Sequence, residues 1–436
     1  MAVASGPLVV ALTGIRRQAP LMFGLLSAVT ITSFRGIDLS ALTLVPPVVL
    51  VASLFLAAAL ARGAMGAIVA AWQRRPAIFW LYSLVLLVEV LLQVYHGGDE
   101  GWAYVAGRAG FLLVLLSALA TCPTADAAEG GLRGTAYGVG VIGLLTLVHA
   151  LQILDMPFGA ELAIPREFGG FEMPVPRTMG IDMSPGKVSM LAAVVLSTVI
   201  ISPTGRHRVI DRRAMRVILF CLALAAVLIT QTRGAYLVAL TTLGLSGYLL
   251  LCRDSSPWFA RRKGPWLVVA GWAALMVLGN VFLLDLAPDF VLDVGAAQSV
   301  HNVHARLLAN SEGLRLLCDS PLLGIGHGTF EYVARGPASI HNHFWEQVVA
   351  TGIAGGLPYL LFHVLVAVAL LRSAGHCDSR YGAIGRTISA AVFGIFVGFQ
   401  SFGAFFPATL AVLYGIALAI PPGQGEPAGH GPGQGS

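Results

Sequence analysis

Residues 77–95 read AIFWLYSLVLLVEVLLQVY, an apolar run without the polar-apolar alternation of a strand and long enough to cross a bilayer. About 20 apolar residues are needed to span the hydrocarbon core, and only helices or closed barrels satisfy their backbone groups there. The run is rich in Leu and Val, so a transmembrane helix is predicted. Similar runs recur near residues 20–34, 40–61, 102–122, 134–154, 188–203, 217–232, 234–252, 265–285, 350–371, 387–402 and 404–420, which makes twelve in all. The composition agrees. Of 436 residues, 56% are hydrophobic and 11% charged, and the mean hydropathy is +0.79, a balance that excludes a soluble globular domain. The expected fold is an all-α polytopic integral membrane protein of about twelve transmembrane helices with one large external loop. Helices 1–9 and a moderate loop at 155–187 occupy residues 1–285, the main loop 286–349, helices 10–12 residues 350–420, and a disordered Gly/Pro-rich tail 421–436.

Basic residues set the expected orientation, because short loops rich in Lys and Arg stay in the cytoplasm. With the N-terminus inside, Arg16, Arg17, Arg62, Arg74, Arg75, Arg133, Arg206, Arg208, Arg212, Arg213, Arg216, Arg253, Arg261, Arg262, Lys263, Arg372, Arg380 and Arg386 fall on the cytoplasmic side, 18 of the 27 basic residues. The net charge of +5 is then a topology signal, and no nucleic-acid partner is expected. Residues 155–187 and 286–343 face outward. No cleavable signal peptide is visible, so the first span is expected to act as an uncleaved signal. Of the five cysteines only Cys318 falls in an external loop, which argues against a structural disulfide.

Nine basic residues depart from the cytoplasmic set: Arg35, Arg108, Arg166, Arg177, Lys187, Arg233, Arg306, Arg315 and Arg335. Arg108 lies two turns inside a span, where a charge is costly and marks a functional candidate, with a snorkelling or capping arginine as the plainer alternative. Arg233 opens another span. The guanidinium fork binds phosphate oxygens bidentately and keeps its charge, so several such groups on one face can hold a diphosphate. Arg177 and Lys187 add candidates from the moderate loop, where Glu161, Glu167, Glu172 and Asp182 offer local ion pairing instead.

Five of the eleven histidines fall within 286–343: His301, His304, His327, His341 and His343. A zinc site is conceivable from their spacing but lacks any HExxH pattern. A general base fits better, since the unperturbed imidazole titrates near neutrality. His149 and His363, isolated in spans, read as interhelical hydrogen-bond partners. Gly324, Gly326 and Gly328 follow no convincing strand, so they read as a sharp turn joining the segments around Arg306 and His341 rather than as a nucleotide loop.

Taken in order, these segments resemble the O-antigen ligase and polymerase superfamily of bacterial envelope glycan assembly. The resemblance is carried by Arg177 with Gly180, by Thr232-Arg233-Gly234-Ala235, and by Arg306 ahead of Pro321-Leu322-Leu323-Gly324-Ile325-Gly326. It ends on His341-Asn342 followed by Thr351-Gly352. Trp345 and Glu346 stand where the family more commonly has aliphatic residues and Gln, and His343 adds a second histidine.

The resemblance implies a GT-C-like, inverting glycosyltransferase that uses no metal and no cofactor. Its donor would be a glycan on undecaprenyl diphosphate and its acceptor a sugar hydroxyl of lipid A-core, met at the periplasmic face of the bacterial inner membrane among membrane lipid. His341, Arg233 and Arg306 would be catalytic, with Arg177, Arg108, Asn342, His343 and Lys187 binding substrate. An O-antigen polymerase and a protein O-oligosaccharyltransferase are alternatives with the same donor, and a lipid-linked glycan flippase is an alternative from another class. One dominant external loop leans towards the ligase. The absence of a clear internal repeat leans away from a transporter.

Overall fold

The computed structural model describes residues 18–30, 47–97, 100–151, 153, 167–168, 171–172, 185–201, 209–210, 212–230, 233–252, 263–272, 274, 297–330, 340, 342–375, 380–399 and 408–420. Nearly all of them are helical. The helices are α1 (Gln18–Thr30), α2 (Pro47–Ala61), α3 (Met65–Arg74), α4 (Pro76–His96), α5 (Glu100–Thr121), α6 (Ala125–Ala150), α7 (Pro185–Ile201), α8 (Arg213–Thr230) and α9 (Arg233–Leu251). They continue with α10 (264–272), α11 (Ala297–Asp319), α12 (His343–Ala374), α13 (Arg380–Gly398) and α14 (Ala408–Ala419). A two-residue antiparallel pair sets β1 (Glu167–Phe168) against β2 (Phe171–Glu172).

Each of the twelve expected segments overlaps a described helix, the one at 265–285 only over its first residues, the rest lying outside the described residues. By length and apolar composition α4, α5, α6, α9, α12 and α13 suffice to cross a membrane, and α2 with α3, bent by 101°, would make a seventh span. α1, α7 and α14 are apolar but shorter. Three helices, α6, α12 and α13, start well before their expected segments because polar residues extend them, α13 at Arg380. α6 starts at Ala125, where Arg380 Nε and Nη2 donate to the two Glu129 oxygens at 2.6 and 2.7 Å. α12 starts at His343 because Asn342 caps it. Within the expected external loop, α11 forms a 23-residue helix that packs on α12.

The interior is formed by α7, which contacts α6, α8, α9 and α13, and by α14, every residue of which is buried. In α13 the spanning window is 83% buried, against 39% in α4 and α9, so those two lie at the periphery. They expose Leu87, Leu91 and Val94 of α4, and Leu237 and Leu240 of α9, as suits a lipid-facing surface. Close crossings use small residues. A β-carbon on Gly134 of α6 would lie 1.9 Å from the Leu21 carbonyl of α1.

The two ends of the bundle differ in chemistry. At one end Arg74 donates to the Ala419 carbonyl at 3.1 Å, and Arg75 to those of Ala417 and Ile420 at 3.2 and 3.4 Å. Two cations thus close the C-terminal end of α14, the negative end of its dipole. Burial, with neighbouring Arg74, lowers the Arg75 pKa to about 10, which leaves it charged at neutral pH. Arg386 reaches the Ala374 carbonyl at 3.3 Å at this same end. The opposite end carries the site described next.

Candidate functional site

α12 is broken near its start. Gly352 has φ 60° and ψ −163°, which frees the Val349 and Ala350 carbonyls and the Ile353 and Ala354 amides from helical bonding. The turn after α11 engages all four. Ile325 N–H donates to Val349 O at 3.2 Å and Gly326 N–H to Ala350 O at 2.9 Å, while Pro321 O and Leu322 O accept from Ile353 at 2.9 Å and Ala354 at 3.0 Å. Non-helical backbone at membrane depth is tolerated only when protein groups satisfy it in this way. Glycine is required on both sides of the contact. Gly324 also has a positive φ, 69°, and a β-carbon there would sit 2.5 Å from the Ala350 oxygen, while one on Gly352 would sit 2.4 Å from the Leu322 oxygen.

Beside this junction lies a buried charged network joining α4, α5 and α12. Arg108 Nε donates to Glu89 Oε1 at 3.0 Å, Nη1 to the Tyr359 hydroxyl at 3.2 Å, and Nη2 to Gln347 Oε1. Gln347 Nε2 donates to Glu89 Oε1 at 2.7 Å, and the Arg108 guanidinium lies 4.3 Å from the Tyr359 ring centre. Arg108 therefore neither snorkels nor caps a helix. Tyr359 also meets His343 Nε2 at 2.6 Å. Arginine can only donate, so the tyrosine oxygen accepts from Arg108, and the direction of its bond to His343 follows the imidazole tautomer.

The network borders a cavity of about 170 Å³ walled by Tyr104, His327, Phe330, Ile340, Glu346 and the glycine turn. His327 stacks on Tyr104, with ring centres 4.3 Å apart and planes at 11°. Its Nε2 lies 3.7 Å from Glu89 Oε1, just beyond hydrogen-bond distance, with 7% of the side chain exposed. Among the described residues neither that nitrogen nor Glu89 Oε2 has a hydrogen-bond partner. The Tyr104 hydroxyl donates to Glu346 Oε1 at 3.4 Å.

Three of the expected site residues have described side chains, and two of them converge: Arg108 and His343 meet at Tyr359. The third, Asn342, is buried and accepts from the Trp345 N–H at 3.1 Å as the α12 N-cap. Asn342→Ala is expected to cost about 1 kcal/mol, read as a lowered thermal midpoint in detergent, and an unchanged midpoint would rule the cap out as a stabilising contact. Arg233 begins α9, Arg306 lies in α11 and Lys187 in α7, with side chains outside the described residues. Arg177 and His341 lie outside the described residues altogether. Arg315 is engaged locally on α11 by Glu312 and Asp319, each at 2.7 Å. His363 meets the Tyr414 hydroxyl at 2.8 Å, as an interhelical partner should.

Sequence reasoning missed Glu89, Gln347, Tyr359, Glu346 and the placement of His327. Glu89 did carry a readable signal, as an acid within the apolar run 77–95.

No curated protein matches the chain in comparison. Residues 218–360 match the family described as O-antigen ligase. That stretch runs from α8 through the break in α12, contains the turn, His327 and Glu346, and supports the resemblance to the O-antigen ligase and polymerase superfamily.

Proposed function

We propose that the chain is an O-antigen ligase in the strict sense: an inverting, metal-independent glycosyltransferase that moves a glycan from undecaprenyl diphosphate to a sugar hydroxyl of lipid A-core. The observation that carries the reading is the family match over 218–360, which includes Arg233, Arg306 and His341 together. In this reading the chain lies in a bacterial inner membrane, with the arginine-capped end in the cytoplasm, as the distribution of basic residues favours, and the buried network towards the periplasm.

The acceptor oxygen attacks the anomeric carbon while His341 takes its proton. The bond from that carbon to the diphosphate oxygen breaks, and its electron pair leaves with undecaprenyl diphosphate. Arg233 and Arg306 stabilise the charge growing on that leaving group. Arg177, ahead of α7, and Lys187, in its first turn, assist. Arg108, Asn342 and His343 act through their protein partners and hold the start of α12 in place.

The test is transfer of an undecaprenyl-diphosphate-linked glycan to purified lipid A-core with EDTA present. Wild type is expected to transfer, and His341→Ala to lose about 10²-fold or more in rate, with His343→Ala less affected. Loss confined to His343→Ala would move the base to that residue. Chain extension of the donor, or glycosylation of a protein, in place of transfer to lipid A-core would make the chain a polymerase or a protein-directed transferase.

A further inference from the structure

We propose that α3 lies in the plane of the membrane at the arginine-capped end of the bundle, with Met65, Val69 and Trp72 set into the boundary between headgroups and acyl chains and Arg62 and Arg74 on acidic phospholipid headgroups. The proposal needs only that the chain sits in a bilayer and is independent of the reaction.

The turn between α2 and α3 stops one helix and redirects the next. Gly63 has φ 83°, its N–H donates to Leu60 O at 2.9 Å, and Ala64 N–H donates to Ala59 O at 3.0 Å. This pairing closes a helix on a left-handed glycine. The chain restarts as a helix at Met65, bent by 101° from α2. α2 packs along α5, so α3 runs across the end of the bundle. There it meets α4, α5 and α14, and Arg74 and Arg75 at its close reach the last carbonyls of α14.

One side of α3 is left apolar and uncovered. Ala71 is buried, whereas Met65, Val69 and Trp72 are 56%, 45% and 38% exposed. A spacing of i, i+4, i+7 puts these three on one helix face. The stripe continues onto the lipid-facing side of α4. The Trp72 ring stacks on Phe79 at 5.6 Å and meets Trp80 edge-on at 5.5 Å, and Trp80 leads into Leu84, Leu87 and Leu91, all exposed. Tryptophan collects where hydrocarbon meets headgroups, because its body is apolar and its N–H is polar. A short helix with such a stripe and flanking cations suits an in-plane position.

Charge selects the headgroup. Residues 39–88 contain three arginines, Arg62, Arg74 and Arg75, and no aspartate or glutamate. Arg62 and Arg74 are exposed on either side of the stripe, while Asp126 and Glu129 at this end engage Arg380. Guanidinium groups pair with phosphate oxygens, and an anionic leaflet attracts them. The sequence after Ile420, PPGQGEPAGHGPGQGS, holds no large apolar side chain that could cover the stripe instead.

The experiment uses the full chain with Cys221, Cys252, Cys318 and Cys377 replaced by serine and the buried Cys122 kept. Leu54→Cys, Met65→Cys, Val69→Cys, Trp72→Cys and Gln73→Cys each carry one nitroxide, in vesicles of phosphatidylcholine and phosphatidylglycerol. Collisions with oxygen and with a water-soluble nickel chelate report depth. Labels at 65, 69 and 72 are expected to share one shallow depth, with 54 deeper and 73 more open to nickel. A steady change of about 10 Å from 65 to 72, the rise of seven helical residues, would make α3 a membrane-crossing continuation of α2 and overturn the proposal. Nickel contact at all three positions would do the same, as would shielding from both reagents, which would mean that another segment of the chain covers the stripe. For the charge, mass spectrometry of the intact protein should show phosphatidylglycerol retained over phosphatidylcholine. Arg62→Gln is expected to lower that retention about fivefold, the attraction of one arginine near an anionic surface, and Arg315→Gln on α11 to leave it unchanged. Equal retention of the two lipids, no loss on Arg62→Gln, or equal loss in both variants would overturn the headgroup assignment.

Discussion

Glu89→Ala is expected to lower stability by about 3–5 kcal/mol, the cost of leaving one member of a buried ion pair without its partner. Folded proteins have a total stability of only about 5–15 kcal/mol, so most of the variant should be lost to aggregation on extraction. The side chains of Glu89 and Arg108 are 0% and 4% exposed, and Glu89 Oε1 accepts from both Arg108 and Gln347. Its removal strands a guanidinium and an amide together. Glu89→Gln keeps an acceptor oxygen and should cost less. The double variant Glu89→Leu with Arg108→Met removes both charges and is expected to recover much of the loss. Thermal midpoints of the three purified proteins in one detergent give the comparison. If Glu89→Ala melts within a degree or two of wild type, the pair does not hold α4, α5 and α12 together. A stable double variant that no longer transfers glycan would show that the pair also positions the site.

Gly352→Ala should be nearly as damaging, for a backbone reason. A φ of 60° with ψ −163° is a region populated almost only by glycine, and the added methyl would lie 2.4 Å from the Leu322 oxygen, with Gly324 N 2.6 Å away. Both neighbours are backbone atoms of the docked turn, so no side chain can swing aside. Strain and clash together should cost roughly 3 kcal/mol or more, with the turn lifted off α12 as the cheapest relief. Hydrogen–deuterium exchange is the direct measurement. The amides of Ile325, Gly326, Ile353 and Ala354 should lose protection together, and transfer should fall even in preparations that remain monodisperse. Unchanged protection at those four amides would mean that the turn and the helix break are not joined as described.

What could be read in the sequence follows from where the physical signal resides. Membrane helices announce themselves through apolar length, and six of the expected segments overlap described helices long and apolar enough to cross a bilayer. The start of α12 was hidden because His343, Glu346 and Gln347 look like loop residues. They are helical because their partners come from elsewhere in the chain, as Gln347 takes Glu89 and Arg108 and Tyr104 takes Glu346. Arg108 was legible as an arginine inside a span. Its partner Glu89 was equally legible by that rule. The docking of the turn left only its glycines as a trace, since backbone hydrogen bonds between residues 325 and 349 impose no side-chain pattern. His327 read as a turn residue for the same reason, because its stacking on Tyr104 depends on how that turn is held.

The splice between the glycine turn and α12 also constrains biogenesis. A helix normally enters the bilayer with its backbone already satisfied, but α12 cannot, because four of its polar groups take their partners from residues 321–326. Those partners are synthesised first, so the turn can wait at the membrane for the segment it completes. Once joined, separating them would expose several backbone groups at a cost of several kcal/mol each in hydrocarbon. The turn is therefore a lasting rivet of the membrane domain.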